Sequence, residues 1–201
     1  MANPAFTEAD LRYVRANYFT LEELCADRDE TPTEVRELVE RGTLPAPSYV
    51  LDDGTEMFPT DYFVLVDLAG GPAGLREEFD RRHRAAGGDP AELDEDWDGY
   101  MDGIYGICLR QVLPETMVRK TQLVNSLTAL LAEPRADDES WRARLRREVW
   151  ELDALEREFS PDYDRSERFP TPPSRDRLVE AARERYADVF VTERQPLRSR
   201  P

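Results

Sequence analysis

Residues 19–58 carry the strongest local folding signals in the chain. Thr20 and Thr31 are each followed three residues later by a Glu, the pattern of a capping box in which side chain and backbone satisfy each other at a helix start. Pro32 takes the first helical position after Thr31, where no backbone N–H is needed. Gly54 follows two aspartates between apolar runs, which predicts a β-hairpin. The stretch therefore predicts two short helices followed by a hairpin.

Helical patterns account for most of the remaining chain. Apolar residues recur at three- and four-residue spacing, and Gly, Pro or polar runs separate the segments. Thr7 and Ser174 are expected to cap the first and last helices. We predict a mainly α fold with a winged head over residues 1–71, a helical bundle over 72–191 and a flexible tail over 192–201. The longer helices are predicted over residues 60–68, 75–86, 97–110, 114–131, 141–159 and 174–189.

The charge of the chain narrows the classes of partner. A net charge of −16 and a pI near 4.6 give a surface that repels phosphate backbones and anionic lipid headgroups. No run approaches the ~20 apolar residues of a membrane span, and the first residues lack a basic-then-apolar leader. Cys25 and Cys108 lie far apart and outside any metal-ligand spacing, which is typical of a reducing compartment. We expect a cytoplasmic protein without membrane contact.

The order of elements over residues 19–68 resembles the winged-helix head of the MerR family of bacterial regulators. Residues 19–24 (FTLEEL) match the opening motif, and Val35 and Arg36 match the start of the second helix. Residues 42–45 match the exit loop and residues 54–61 the wing. The resemblance implies a winged helix-turn-helix, and it makes a DNA-binding transcriptional regulator one alternative function.

The positions that would contact DNA depart from the MerR pattern. Members of that family present aromatic side chains on the second helix and an Arg in the wing, whereas this chain has Glu37, Leu38 and Glu56 there. Residues 19–67 contain thirteen acidic and three basic residues, a net charge of −10. DNA binding requires neutralisation of several phosphates. We therefore expect the head to serve packing or protein contact and not to bind DNA.

Four longer strings resemble an uncharacterised actinobacterial family of natural-product biosynthesis proteins. They cover residues 44–63, 96–120, 123–131 and 174–186. The resemblance implies a role beside the enzymes of a specialised-metabolite pathway, and it brings no catalytic residues with it. We therefore predict a non-catalytic accessory protein whose protein partner is a biosynthetic enzyme, and we leave a homodimer open.

The segment from Tyr105 to Lys120 is locally basic in this acidic chain. Arg110, Arg119 and Lys120 oppose only Glu115. Guanidinium and ammonium groups bind phosphate and carboxylate groups. These three cations and Tyr105 form a candidate anion pocket, which would suit a biosynthetic enzyme acting on an anionic small molecule. The alternative is that the cations pair with acidic residues on neighbouring helices.

Large aromatic side chains on the predicted helices are candidate anchors for a partner. Aromatic residues are enriched at the centres of protein interfaces, although the same residues also fill hydrophobic cores. The candidate interaction residues are Trp97, Tyr100, Trp141 and Trp150.

The residue types of ordinary catalysis are sparse. His83, the only histidine, lies in the charged string RRHR and is expected at the surface. No Gly-rich phosphate loop, nucleophile elbow or His-containing metal motif occurs. The acidic run at 94–102 resembles the start of a twelve-residue calcium loop, but the last position, which needs Glu, is Tyr105. Lys120 could form a Schiff base only if its pKa were lowered. We predict no catalytic residues, no metal and no cofactor, and we lean against an enzyme.

Overall fold

The computed structural model of the protein describes residues 5–165 and 171–191, and the predicted flexible tail at 192–201 lies outside them. Within these ranges the fold is mainly helical with a small antiparallel sheet, as the sequence predicts. The helices are α1 (Glu8–Asn17), α2 (Leu21–Leu24), α3 (Pro32–Glu40), α4 (Val64–Leu68), α5 (Leu75–Ala85), α6 (Leu93–Met101), α7 (Ile104–Cys108), α8 (Pro114–Ala132), α9 (Glu139–Leu155), a π-helix (Arg175–Glu180), α10 (Ala181–Arg185) and α11 (Ala187–Phe190). The strands are β1 (Tyr18–Phe19), β2 (Tyr49–Val50) and β3 (Glu56–Pro59).

Three threonine side chains begin the first helices, as predicted. The hydroxyls of Thr7, Thr20 and Thr31 each accept a hydrogen bond from the backbone N–H three residues later, and the carboxylate of that later residue accepts from the threonine N–H. Each capping box satisfies two N–H groups that a helix start otherwise leaves unpaired. These caps fix where α1, α2 and α3 start.

The predicted hairpin is present, and it is joined by a third strand that the sequence did not predict. β2 and β3 pair antiparallel with Tyr49 opposite Met57. β1 pairs with the other edge of β3, placing Phe19 opposite Phe58, so the strand order is β1-β3-β2. A two-residue strand is too short to show alternation of apolar and polar residues. β1 nevertheless ties α1 and α2 to the hairpin.

The single helix predicted over residues 97–110 is wrong, because the chain breaks it at Gly103. This glycine has φ 72°, a conformation that side chains with a Cβ rarely adopt. Its carbonyl accepts a hydrogen bond from the Ser48 hydroxyl at 2.9 Å. A Cβ at this position would lie 2.5 Å from the Ala46 carbonyl oxygen. The break separates α6 from α7, which packs against α6 and β3.

The end of α9 and the start of the following helix also differ from prediction. α9 ends at Leu155, before the predicted residue 159, because Glu156 becomes extended and forms a β-bridge with Leu109. Ser174 does not cap the last helix, since its hydroxyl donates to the Glu156 carboxylate instead. The chain from 175 to 180 is a π-helix, a conformation often found at functional sites.

The hydrophobic core of the described residues consists of two clusters. One cluster joins Phe58 and Leu65 of the head to Phe79, Tyr100 and Met117 of the following helices. A second cluster fills the space between α8, α9 and residues 178–189. The head is therefore packed onto α5–α7, and α8 contributes to both clusters.

No helix in residues 5–165 or 171–191 is long and apolar enough to cross a membrane.

Candidate ligand-binding cavity

A cavity of about 340 Å³ lies between α7, the N-terminal half of α8 and residues 171–177. We call it the α7–α8 cavity. Its volume falls within the range of about 300–1,000 Å³ that is usual for small-molecule sites. The apolar part of its lining consists of Ile104, Ile107, Val124, Phe159, Pro172 and Pro173. The polar part consists of Tyr105, Cys108, Lys120, Thr121, Thr171, Ser174 and Arg177.

Lys120, the only lysine in the chain, forms an ion pair at the wall of this cavity. Its Nζ lies 3.4 Å from Oε1 of Glu156, and the glutamate has no exposed surface. Burial has the largest influence on the pKa of Lys120 and lowers it, but Cys108 and Glu156 together outweigh burial and raise the pKa above its ordinary value. The Lys120 side chain is therefore protonated at neutral pH.

The Glu156 carboxylate is the centre of this polar group. The bridge between Glu156 and Leu109 aligns the ends of α7 and α9, so the glutamate lies behind the cavity wall. Oε1 accepts the hydroxyl of Ser174 and faces Lys120. Oε2 is buried without a hydrogen-bond partner among the described residues. One carboxylate thus positions two of the polar groups that line the cavity.

A second buried polar chain reaches the cavity through Tyr105. The Tyr105 hydroxyl donates to Oδ1 of Asp96, and Oδ2 of the same carboxylate lies 2.9 Å from Nε2 of His83. Burial and the neighbouring Asp96 raise the pKa of Tyr105 well above its ordinary value, so the phenol keeps its proton. The surface position predicted for His83 is wrong: the side chain has no exposed surface because Asp96 provides a partner in the interior.

Gly88 and Phe79 hold the imidazole ring of His83. The Phe79 ring stacks on it with 6.2 Å between centroids and 16° between planes. A Cβ at Gly88 would lie 2.2 Å from Cε1 and 2.5 Å from Nδ1 of His83. Nδ1 has no hydrogen-bond partner among the described residues. Only a glycine leaves room for the ring at this position.

The structure brings together two of the four residues of the predicted anion pocket. Tyr105 and Lys120 line the α7–α8 cavity. Arg119 is exposed and forms a bidentate pair with Glu151, with both N–O distances at 2.6 Å. Arg110 is exposed and lies outside the lining. The pair with Glu151 of α9 directs the Arg119 side chain away from the cavity, whose lining does not include it.

The predicted interaction residues divide between core and surface. Tyr100 and Trp141 are buried in the two hydrophobic clusters and offer no surface to a partner. Trp97 is half-buried and packs edge-on against Phe79. Trp150 is exposed on α9. At Tyr100 and Trp141, the helical spacing of aromatic residues therefore reflects packing in the hydrophobic core.

Groups of three or more His, Cys, Asp or Glu side chains that could hold a metal ion do not occur among residues 5–165 and 171–191. Cys25 and Cys108 are both free and buried. The polar side chains of the cavity lining carry ammonium, guanidinium, hydroxyl and thiol groups.

Comparison with known proteins identifies the region that contains the cavity. Residues 74–187, more than half of the chain, match the model of DUF6058, a family of unknown function. The chain belongs to the DUF6058 family. The DUF6058 region includes all residues that line the cavity together with His83, Asp96 and Glu156, and it begins after residues 1–71, the predicted head. No curated protein and no solved structure matches the chain.

Sequence reasoning missed Glu156, Ser174 and the pair His83–Asp96. Glu156 follows an apolar helical stripe, and Ser174 stands at a helix start where capping is the usual role. A carboxylate that lies at the end of a helical stripe, in phase with its buried face, is the signal that could have indicated Glu156. The contact between Asp96 and His83 spans thirteen residues and two helices, and no local pattern reports it.

Proposed function

We propose that the protein binds a small organic anion with an apolar body in the α7–α8 cavity. The observation that carries this proposal is the position of Lys120, a protonated ammonium group at the wall of a mainly apolar cavity. Arg177 adds a second cation at the exposed edge of the same lining. With Glu156 as the opposing charge, the group has a net charge of about +1, which favours a monoanion.

The energetics of the ion pair support a binding role over a purely structural one. Removing two charges from water costs several kcal/mol per ion, and hydrophobic replacements of such pairs are often as stable or more stable. The pair of Lys120 and Glu156 therefore contributes little net stability to the fold. An ammonium group held beside apolar side chains is, in contrast, well suited to orient a carboxylate whose body excludes water.

The protonation of Lys120 favours binding over covalent catalysis. A lysine that forms a Schiff base must lose its proton, which requires a lowered pKa. The pKa of Lys120 is raised by Cys108 and Glu156 despite burial. We infer that Lys120 acts as a charge and not as a nucleophile, in keeping with the sequence-based expectation of a non-catalytic protein.

Filling the cavity tests this function. Sodium cinnamate, an aromatic carboxylate, serves as the probe and is titrated by calorimetry. Val124 lies in the cavity lining, whereas Asn125 follows it on α8 as an exposed residue outside the lining. We expect saturable binding to the wild type and to Asn125→Trp, and loss of binding in Val124→Trp. Equal binding to the two variants would place the ligand elsewhere.

We infer that the head is a MerR-like winged helix that has lost its DNA-binding surface. The order of α2, α3 and the hairpin β2–β3 supports the resemblance. Nε of Arg36 lies 3.1 Å from Oε2 of Glu56, and its Nη2 lies 3.5 Å from Glu22. The residue that matches a DNA-contacting arginine of the MerR family is therefore neutralised by the glutamate at the wing position.

We propose a cytoplasmic accessory role in specialised metabolism, with the anion as an intermediate or product of the pathway. The two free cysteines support a reducing compartment. The predicted biosynthetic enzyme partner stays a prediction. A pull-down from the producing strain with the wild type as bait is expected to recover that enzyme, and repeated recovery of no biosynthetic enzyme would refute the accessory role.

A further inference from the structure

Two of the four hydroxyl groups that line the α7–α8 cavity, those of Tyr105 and Ser174, have their protons committed to carboxylates. The Tyr105 hydroxyl donates to Asp96, and the Ser174 hydroxyl donates to Glu156. A hydroxyl has one proton to donate and two lone pairs that accept. Both Tyr105 and Ser174 can therefore act toward a ligand only as acceptors.

The acceptor sites of these two hydroxyls are not used by the part of the chain that the structure describes. Among residues 5–165 and 171–191, no group donates a hydrogen bond to the Tyr105 phenolic oxygen or to Ser174 Oγ. Both residues line the cavity, so their lone pairs are available to an occupant.

The carboxylates are themselves held in place, so the direction of these hydrogen bonds is fixed. Asp96 accepts from Tyr105 on Oδ1 and contacts His83 on Oδ2 at 2.9 Å. Glu156 faces Lys120 at 3.4 Å on the same oxygen that accepts from Ser174. A hydroxyl that turned its proton toward the cavity would give up its hydrogen bond to the carboxylate.

The cations of the lining have the opposite capacity. Lys120 carries three N–H donors and Arg177 five, and neither side chain can accept. One donor of Arg177 is used by the Pro172 carbonyl at 3.1 Å. The lining thus combines donors that require an acceptor on the ligand with acceptors that require a donor on the ligand.

We propose that the ligand of the cavity is an organic acid that also carries an O–H or N–H donor, with the carboxylate facing Lys120 and Arg177 and the donor facing Tyr105 or Ser174. This inference rests on the proposed function and narrows its ligand class. It distinguishes hydroxylated or amide-bearing acids from simple apolar acids of the same size.

Matched probes test the donor requirement. The 2-, 3- and 4-hydroxycinnamates, their O-methyl ethers and unsubstituted cinnamate are titrated by calorimetry, so that the distance between acid and donor varies at nearly constant size. For at least one isomer we expect the hydroxy acid to bind about three- to tenfold more tightly than its methyl ether, the range of one neutral hydrogen bond.

Two variants locate the acceptor, and a third serves as the control. Tyr105→Phe or Ser174→Ala should abolish the preference for the hydroxy acid over its methyl ether. Tyr13→Phe removes a phenol that donates to the Glu158 carbonyl outside the cavity, and it should keep the preference. Measuring the ratio within each variant separates this effect from a change in fold stability.

The titrations distinguish failure of the donor requirement from failure of anion binding itself. If the acids bind but no isomer is preferred over its ether, the donor requirement is wrong and the anion-binding function stands. A preference that persists in both Tyr105→Phe and Ser174→Ala would also overturn it. If no acid binds at all, the proposed function itself fails.

Discussion

Lys120 and Glu156 form an ion pair in which 3.4 Å separates Nζ from Oε1 and the glutamate is fully buried. Arg119, the residue before Lys120 on α8, forms an exposed ion pair with Glu151 of α9. The chain thus offers two ion pairs at adjacent positions that differ in burial. The exposed pair therefore serves as a matched control when the contribution of the buried pair to the free energy of unfolding is measured.

Lys120→Met is predicted to destabilise the protein by about 3–5 kcal/mol, because it leaves a buried carboxylate without its counter-charge. Arg119→Met removes an exposed pair and should cost less than about 1 kcal/mol. Urea denaturation measures both. The double variant Lys120→Met/Glu156→Gln should recover most of the loss. Similar costs for the two single variants would show that Glu156 does not depend on Lys120.

Gly88→Ala is predicted to displace His83 and to break its contact with Asp96. The added Cβ would lie 2.2 Å from the ring, so the ring or the backbone has to move, at a cost of about 1–3 kcal/mol for overpacking. A double-mutant cycle with His83→Ala measures the coupling by denaturation. We expect the double variant to cost less than the sum of the single variants, and additive costs would mean that the clash is relieved elsewhere.

Stability is predicted to fall as the pH rises above about 10. Burial raises the pKa of six tyrosines: Tyr13, Tyr18, Tyr49, Tyr62, Tyr100 and Tyr105. Because the unfolded state releases these protons near pH 10 and the folded state retains them, their contribution is complete below that pH and is lost above it. The raised pKa of Lys120 acts in the same direction.

Denaturation curves across the alkaline range, together with tyrosinate absorbance, measure this dependence. We expect the tyrosinate forms of these six residues to appear only with unfolding, and the slope of stability against pH to be shallower in Tyr100→Phe. Gradual ionisation of these tyrosines in the folded state would contradict their burial.

The wild type is predicted to show no retention on DNA even at low salt, about 50 mM, where phosphate contacts are strongest. Glu56 and Glu22 neutralise Arg36, and residues 19–67 have a net charge of −10. Glu56→Gln should not restore binding, because it changes that charge by only one unit. A salt-sensitive gel shift by the wild type would favour the regulator alternative.

The local elements of the head could be predicted because their signals are contained in a few residues. The capping boxes at Thr20 and Thr31 depend on contacts between residues three positions apart, and the hairpin around Gly54 pairs residues at most eight positions apart. All three features are present. The break at Gly103 was missed because a helical apolar pattern continues through it. Its cause is a tertiary contact with residues 46–48.

The candidate site was predictable only in part. The local positive charge of residues 105–120 predicted a site that contains Lys120 and Tyr105. The same prediction included Arg110 and Arg119, which lie outside the cavity lining. Glu156 lies 36 residues beyond Lys120 and approaches it through the bridge that joins α7 to the end of α9. The sequence shows which charged residues are present, but the packing of the helices determines which of their side chains come into contact.

The central claim is that Lys120 binds the anion, and calorimetric titration of sodium cinnamate into two double variants tests it most directly. Lys120→Met/Glu156→Gln removes the buried pair, and Arg119→Met/Glu151→Gln removes the adjacent exposed pair with the same change of charge. We predict that the second variant binds as the wild type does and that the first loses at least about tenfold in affinity, the value of one charge-assisted hydrogen bond. Equal affinities of the wild type and both variants would contradict the claim.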